Sequence, residues 1–212
     1  MNKIQIIFDF DGVILNSHKV KTRAFYFIYQ EYGKNKALRA QKYHLKNAGI
    51  SRIKKFNYLN KNLFSKENIN LEELNEKFTR YCFEKISNLK ISTSMINFLK
   101  KNYKIYDFYI STGTPQIEII KILKKKKIFQ FFKKVYGSPR NKVEHINLIK
   151  NKNYERIFIG DSKIDYLSAK KTNTRFILKE HTENYKEFER IKVFKIKDFK
   201  NLDSKLKNFY KT

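Results

Sequence analysis

Tryptophan is absent from this chain, proline occurs twice, and cysteine occurs once, as Cys82. A single thiol excludes an internal disulfide and any cysteine-based zinc site. No apolar run reaches the roughly 18 residues of a membrane span, and the short N-terminal run is broken by Asp9 before it could serve as a signal-peptide core. The sequence therefore predicts a globular, cytoplasmic protein with no membrane partner. Acidic residues are scarce as well: 20 Asp and Glu stand against 47 Lys and Arg, a formal net charge of +27. Such a field attracts anions, whether phosphorylated metabolites, nucleic acid or acidic lipids, and does not choose among them. Most of the excess is lysine, accompanied by abundant Asn, Ile, Phe and Tyr, which is what compositional drift across a proteome produces. The four histidines are scattered without ligand spacing, so surface or packing roles are expected for each.

What is present is enough for a core. A length of 212 residues with 41% hydrophobic content fits one generous domain, or a core carrying a smaller insertion. The stretch Ile4 to Ser17 organises the rest. Ile4, Ile6, Ile7 and Phe8 form an apolar run without clean alternation, as in a strand buried on both faces of a parallel sheet. The run stops at Asp9, and Asp11 follows two residues later, so a persisting pleat would send both side chains to the same side. Gly12 permits a sharp exit. Two carboxylates this close repel, and a shared proton or a bound cation relieves them. Oxygen ligands favour Mg²⁺.

From His18 to about Lys90 the pattern is helical throughout. Helices are predicted up to Gly33, over roughly Leu38 to Asn47 ending at Gly49, after Ser51, and from an Asn70 cap through Leu71, Leu74, Phe78 and Cys82. Strands then alternate with helices. A strand at Ile105 to Ile110 leads into Ser111-Thr112-Gly113-Thr114-Pro115, with Pro115 predicted at the first helical position. Free N–H groups converge there, so a phosphate oxygen would be held by the Ser111 hydroxyl and the amides around Thr112 and Gly113. Val135-Tyr136 forms a short strand. Lys142 falls in the first turn of the next helix, an unfavourable end for a cation. Arg156 to Ile159 is another buried strand, ending in Gly160-Asp161-Ser162 with Asp165 beyond. Thr174 to Leu178 reads as the last main strand, and Leu202, Leu206 and Phe209 line a C-terminal helix. Alternating elements predict an α/β fold with a doubly wound parallel sheet, and every candidate residue falls at a strand's C-terminal end, where such sheets bind ligands.

The DFDGVILNS segment, Ser111-Thr112-Gly113-Thr114, Lys142, and Gly160-Asp161-Ser162 with Asp165 resemble, in order, the four motifs of the haloacid dehalogenase-like (HAD) hydrolases. The resemblance covers nearly the whole chain. It implies a Rossmann-like core at 1–16 and 92–212, an all-helical C1-type cap at 17–91, and a first strand lying between those that bear Ser111 and Asp161. It implies a Mg²⁺-dependent phosphatase acting on a small phosphorylated substrate such as a sugar phosphate or phosphoglycolate. Asp9 would be the nucleophile, Asp11 the acid and base, and Lys142 the cation steadying both nucleophile and phosphate. The metal would fall to Asp9, Asp11 and Asp161, with Asp165 in its neighbourhood. Asp11 also argues against the dehalogenase and phosphonatase branches, which lack that carboxylate.

Two other readings stay open. Leu45-Lys46 with Gly49-Ile50-Ser51-Arg52 resembles the cap segment with which β-phosphoglucomutase-like enzymes grip a sugar phosphate, which makes Arg52 a candidate substrate contact. Against a mutase, Lys21 stands where that branch carries a histidine, and Gly160 where it carries an acid. The other alternative is a basic nucleic-acid-binding protein on a HAD scaffold, but no nucleic-acid motif occurs. If the charge is compositional, nucleic-acid binding will be weak and steeply salt-dependent, gone by about 0.15 M salt. Tight, sequence-selective binding at that salt in a fluorescence anisotropy titration would reverse this expectation.

Overall fold

The computed structural model describes residues 3–47, 50–149, 151 and 153–209. Six parallel strands form one sheet in the order β3-β2-β1-β4-β5-β6. They are β1 (Lys3–Phe8), β2 (Asp107–Pro115), β3 (Lys134–Ser138), β4 (Tyr154–Gly160), β5 (Arg175–Lys179) and β6 (Phe194–Ile196). β1 therefore lies between β2 and β4, as the resemblance implies. Its side chains alternate between two apolar layers. Ile6 and Phe8 join the larger cluster, whereas Ile7 joins a second one with Phe158, Phe176 and Phe188. Phe8 meets Phe98 and Phe108 edge-on, at ring separations of 6.4 and 5.3 Å. Burial on both faces explains why the β1 sequence shows no polar alternation.

Helices α1 (His18–Tyr29), α2 (Lys34–Lys46), α3 (Arg52–Asn62) and α4 (Leu71–Asn88) follow β1, and no strand interrupts them among the described residues. Asn70 caps α4 as expected, its side chain accepting from the Glu72 and Glu73 amides. Leu74, Phe78, Cys82 and Ile86 repeat every four residues and form the buried stripe of α4. Phe78 packs against Phe25 of α1 and Phe56 of α3. The remaining helices are α5 (Thr93–Asn102), α6 (Gln116–Lys125), α7 (Lys142–Ile149), α8 (Lys163–Lys171) and α9 (Leu202–Phe209). Leu202 and Leu206 of α9 are fully buried, whereas the Phe209 side chain and Gly49 lie outside what is described.

Element ends shift by a few residues, α2 beginning at Lys34 and β2 at Asp107, and two differences from expectation are larger. β2 does not stop at Ile110 but runs on to Pro115, which precedes α6 instead of opening it. Pairing with β3 resumes at Pro115 and Ser138 beyond an irregularity after Ser111, so sheet hydrogen bonding wins over the local helix-start signal. β6 was not foreseen. Three residues on the sheet edge, paired only with β5, are too short to carry a readable pattern.

Arg52, the first residue of α3, ties the helical segment to the sheet. Its Nη1 donates to Glu118 Oε2 of α6 at 2.8 Å and Nη2 donates to Glu118 Oε1. Nε donates to Asn75 Oδ1 at 2.7 Å, Nη2 also donates to Thr79 Oγ1 at 2.9 Å, and the guanidinium lies 5.1 Å from the Phe78 ring centre. Removing one partner of so enclosed a pair strands the other charge, so Arg52→Ala should cost about 3 kcal/mol. Thermal unfolding should show a loss of several degrees; an unchanged midpoint would mean that the pair contributes nothing to cohesion.

Candidate active site

The hydrogen-bond ladder between β1 and β4 continues one residue past the strand, because the Asp9 N–H donates to the Ile159 carbonyl at 2.9 Å. That bond fixes Asp9 at the sheet's C-terminal edge, where its side chain is buried. The chain then turns through Gly12, at φ +80°. A Cβ there would stand 2.1 Å from both Asp161 Oδ2 and His18 Nε2, so only glycine lets this turn press against the end of β4.

Lys142 Nζ lies 3.0 Å from Asp9 Oδ2 and also donates to Asp165 Oδ1. These two carboxylates offset the unfavourable position of a lysine at the start of α7, and against the effect of burial they hold its ammonium above the ordinary value. Burial dominates at Asp9. Although Lys142 opposes it, the repulsion of Asp165, Asp161 and Asp11 adds to burial, and the Asp9 carboxyl is pushed up to about 8. Asp11 behaves in the opposite way: burial would raise it, but Lys21 and Ser17, both donating to its carboxylate, hold it below the ordinary range. Lys21 Nζ also donates to Thr114 Oγ1 at 2.8 Å, linking α1 to the end of β2.

At the end of β4, Asp161 Oδ2 receives two imidazoles, His18 Nε2 at 2.7 Å and His181 Nε2 at 3.0 Å. Burial would raise the Asp161 carboxyl, yet these two contacts bring it down to about 2. The same contact lifts His18 to about 9 against the effect of its burial. These groups open onto a cavity of about 610 Å³, which is also lined by His44, Lys55 and Phe78 from the helical segment and by Gly113 and Thr114 from β2.

A family model described as haloacid dehalogenase-like hydrolase matches residues 6–179. The chain belongs to that family. Among solved structures, a Clostridium difficile protein described as a phosphatase is 21% identical, with 97% of this chain and 99% of that one covered at a TM-score of 0.70. A Haemophilus somnus protein described as a phosphoglycolate phosphatase is 14% identical, covering 97% and 99%, at a TM-score of 0.74. A HAD hydrolase of Bacillus subtilis, described as bound to magnesium with interdomain movement, is 16% identical, covering 98% and 100%, at a TM-score of 0.70. At these identities the likeness is one of fold. No curated protein matches.

In this HAD hydrolase Asp9, Asp11, Lys142 and Asp161 converge on one cavity, as the motif order implies. Three expected contacts take another form. The Ser111 hydroxyl does not face the cavity; it is fully buried and lies 2.9 Å from His145 Nδ1, while His145 Nε2 donates to the Gly137 carbonyl at 3.2 Å. Because β2 continues through this motif, its alternation turns Ser111 towards α7. Thr112 Oγ1 is likewise engaged, accepting from the Thr114 N–H at 3.2 Å, which leaves Gly113 as the member of the trio that lines the cavity. Arg52 lines the cavity, as a substrate contact would have to, and its donors are directed at Glu118, Asn75 and Thr79. Asp165 is the third. Its Oδ2 accepts from the Asp161 and Ser162 amides and the Ser162 hydroxyl, forming the capping box of α8, and its Oδ1 faces Lys142.

A divalent cation fits here. Oxygens of Asp9, Asp161 and Asp165 lie within 4.8 Å of one another, and Asp9 cannot comfortably ionise without added positive charge. Since the Asp165 oxygens are already satisfied and the Asp11 carboxylate is turned to Lys21, Asp9 and Asp161 are the direct carboxylate ligands the geometry favours.

The expectation of surface or packing roles holds for His145, which is buried against Ser111 and the Gly137 carbonyl, but not for His18, His44 and His181, which all line the cavity. No spacing in the sequence announces this, because α1, α2 and the loop after β5 each supply one. The raised His18 value means that its pairing with Asp161 stabilises the fold fully below about pH 6.5 and loses that contribution as pH rises through about 9. The lowered Asp161 value sets the acid limit, with loss as pH falls through about 2. NMR titration of the metal-free protein should find the His18 midpoint near 9, returning towards 6.5 in Asp161→Asn. Equal midpoints in the two proteins would dissociate the pair.

Proposed function

We propose that this HAD hydrolase is a Mg²⁺-dependent phosphatase of small phosphorylated metabolites, of the sugar-phosphate or phosphoglycolate kind. The observation that carries this reading is the Asp9 carboxylate, buried against Lys142 at the cavity floor, with Asp11 two residues on and Asp161 facing it. Asp9 attacks the phosphorus in line, its oxygen displacing the substrate alkoxide and forming an aspartyl-phosphate. Lys142 offsets charge on the transferring oxygens, and the Gly113 backbone lies where a phosphate oxygen would need N–H donors. When bound between Asp9 and Asp161, Mg²⁺ would supply the remaining positive charge for the nucleophile and the phosphoryl oxygens to approach one another.

Asp11 protonates the departing alkoxide, then removes a proton from the water that hydrolyses the intermediate. Its carboxyl is held low by Lys21 in the free protein. An incoming phosphate competes for that ammonium, and the loss of a cationic partner raises Asp11 towards the protonated form the first step needs. Residues 17–91 act as the lid, and 1–16 with 92–212 as the core; closure of the lid excludes water during the first step. The interdomain movement described for the Bacillus subtilis protein is in keeping with this division, as its bound magnesium is with the metal. Lys21 in contact with Asp11, at the position where a mutase would carry histidine, favours hydrolysis over phosphoryl return to a sugar.

Phosphate release from small monoesters should depend on Mg²⁺ and stop in excess chelator. Asp9→Asn should lower kcat by about a thousandfold or more while far-UV circular dichroism stays unchanged. Full turnover by Asp9→Asn would remove the nucleophile from this scheme.

A further inference from the structure

The cavity's buried cations are not equally neutralised. Lys142 faces Asp9 and Asp165, Lys21 faces Asp11, and Arg52 faces Glu118. Lys55 of α3 is different: it is only 2% exposed, it lines the same cavity, and no carboxylate lies within ion-pair distance of it among the described residues. Its nearest polar partner is His44 Nδ1 at 3.0 Å, with the His44 carbonyl at 3.4 Å, and its ammonium stands 5.6 Å from the Phe25 ring centre.

The immediate surroundings hold the lysine without neutralising it. His44 stacks on Phe25 at 4.3 Å, and burial first, then Lys55 itself, drive its imidazole down to about 2, so His44 is an uncharged acceptor. An ammonium carries three donors. Nδ1 takes one and the distant carbonyl a second, which leaves the third without an acceptor among the described residues, on a side chain that lines the cavity. Burial and the repulsion of Lys21 bring Lys55 down to about 7, with Asp11 acting in the opposite direction. A buried charge of this kind is costly unless something pairs with it. No carboxylate among the described residues does so.

We infer that Lys55, supported by His44, is a subsite for a second anionic group on the substrate, close to the phosphate ester and borne by its leaving alcohol. This rests on the phosphatase reading for the position of the ester, and it narrows the substrate class: the leaving alcohol carries a carboxylate or a further phosphate. Arg52 is not the group that takes it, since its donors are committed to Glu118, Asn75 and Thr79. The second anion supplies the counter-charge that α3 lacks.

Binding can be tested without turnover. Calorimetry on the full-length, Mg²⁺-loaded protein should show phosphonoacetate binding about tenfold or more tighter than propylphosphonate, which has similar size but no second anion. In Lys55→Met that preference should collapse towards one, and Lys55→Arg should restore part of it. In turnover, the kcat/KM ratios of phosphoglycolate and of ethylene glycol bisphosphate over ethyl phosphate should exceed about ten in the wild type. Which of the two is larger identifies the anion as carboxylate or phosphate.

Wild-type ratios near one for both anions would overturn the subsite, and this measurement stands even if Lys55→Met does not fold. A preference that survives in a folded Lys55→Met protein would overturn it equally. If no phosphate ester is hydrolysed but phosphonoacetate still binds selectively through Lys55, the catalytic reading fails and the subsite stands.

Discussion

Crowding of carboxylates at the C-terminal ends of β1 and β4 is the constraint on which the site depends. Asp9, Asp161 and Asp165 bring their oxygens within 4.8 Å of one another inside the protein. Isolated, such a group could not stay ionised. The structure resolves the crowding unevenly. Asp165 is absorbed by Lys142 and the capping box of α8, and Asp161 by two imidazoles. Asp9 has Lys142 as its one cationic partner among the described residues, with the Phe10 N–H donating to its Oδ1 at 2.8 Å, and its carboxyl remains raised. The least compensated carboxylate is thus the one to which the proposed function gives the nucleophile's role.

The same unevenness recurs across the cavity. Arg52 and Lys55 are three residues apart on α3, both buried, yet one is bidentate with Glu118 and the other meets uncharged groups, the His44 imidazole and carbonyl and the Phe25 ring. The first pair joins helical segment and core; the second leaves positive potential facing the cavity. The histidines contribute in different protonation states for the same reason: His18 is charged by its contact with Asp161, whereas His44 and His145 are kept neutral by burial.

The net charge of +27 is an excess of Lys and Arg over Asp and Glu. In the cavity Lys142 and Lys21 face carboxylates whereas Lys55 faces none among the described residues, and the exposed pairs elsewhere, such as Lys77 with Glu31 and Glu73, are of the solvated kind that contributes modestly. Long-range attraction of anionic substrates remains available to so basic a surface. Local pairing decides where they come to rest.

Much of the fold was legible in the sequence because local signals and the global fold agreed. The buried β1 run, the Asn70 cap, the four-residue stripe of α4 and the order of Asp9, Lys142 and Asp161 are all properties of short segments, readable without a third dimension. The turn at Gly12 belongs with them. What only tertiary structure decided lies where distant segments meet. β2 ran past Ile110 because a neighbouring strand offered hydrogen bonds, and that continuation turned Ser111 to His145 and away from the cavity. His18 and His181 share one Asp161 oxygen although no sequence spacing links them. Arg52 and Lys55 read alike as basic residues of one helix, and their difference is set by Glu118, brought to one of them by the folding of α6. Strand ends and caps follow from local backbone preference, but the state of a buried charge depends on which partner the completed fold carries to it.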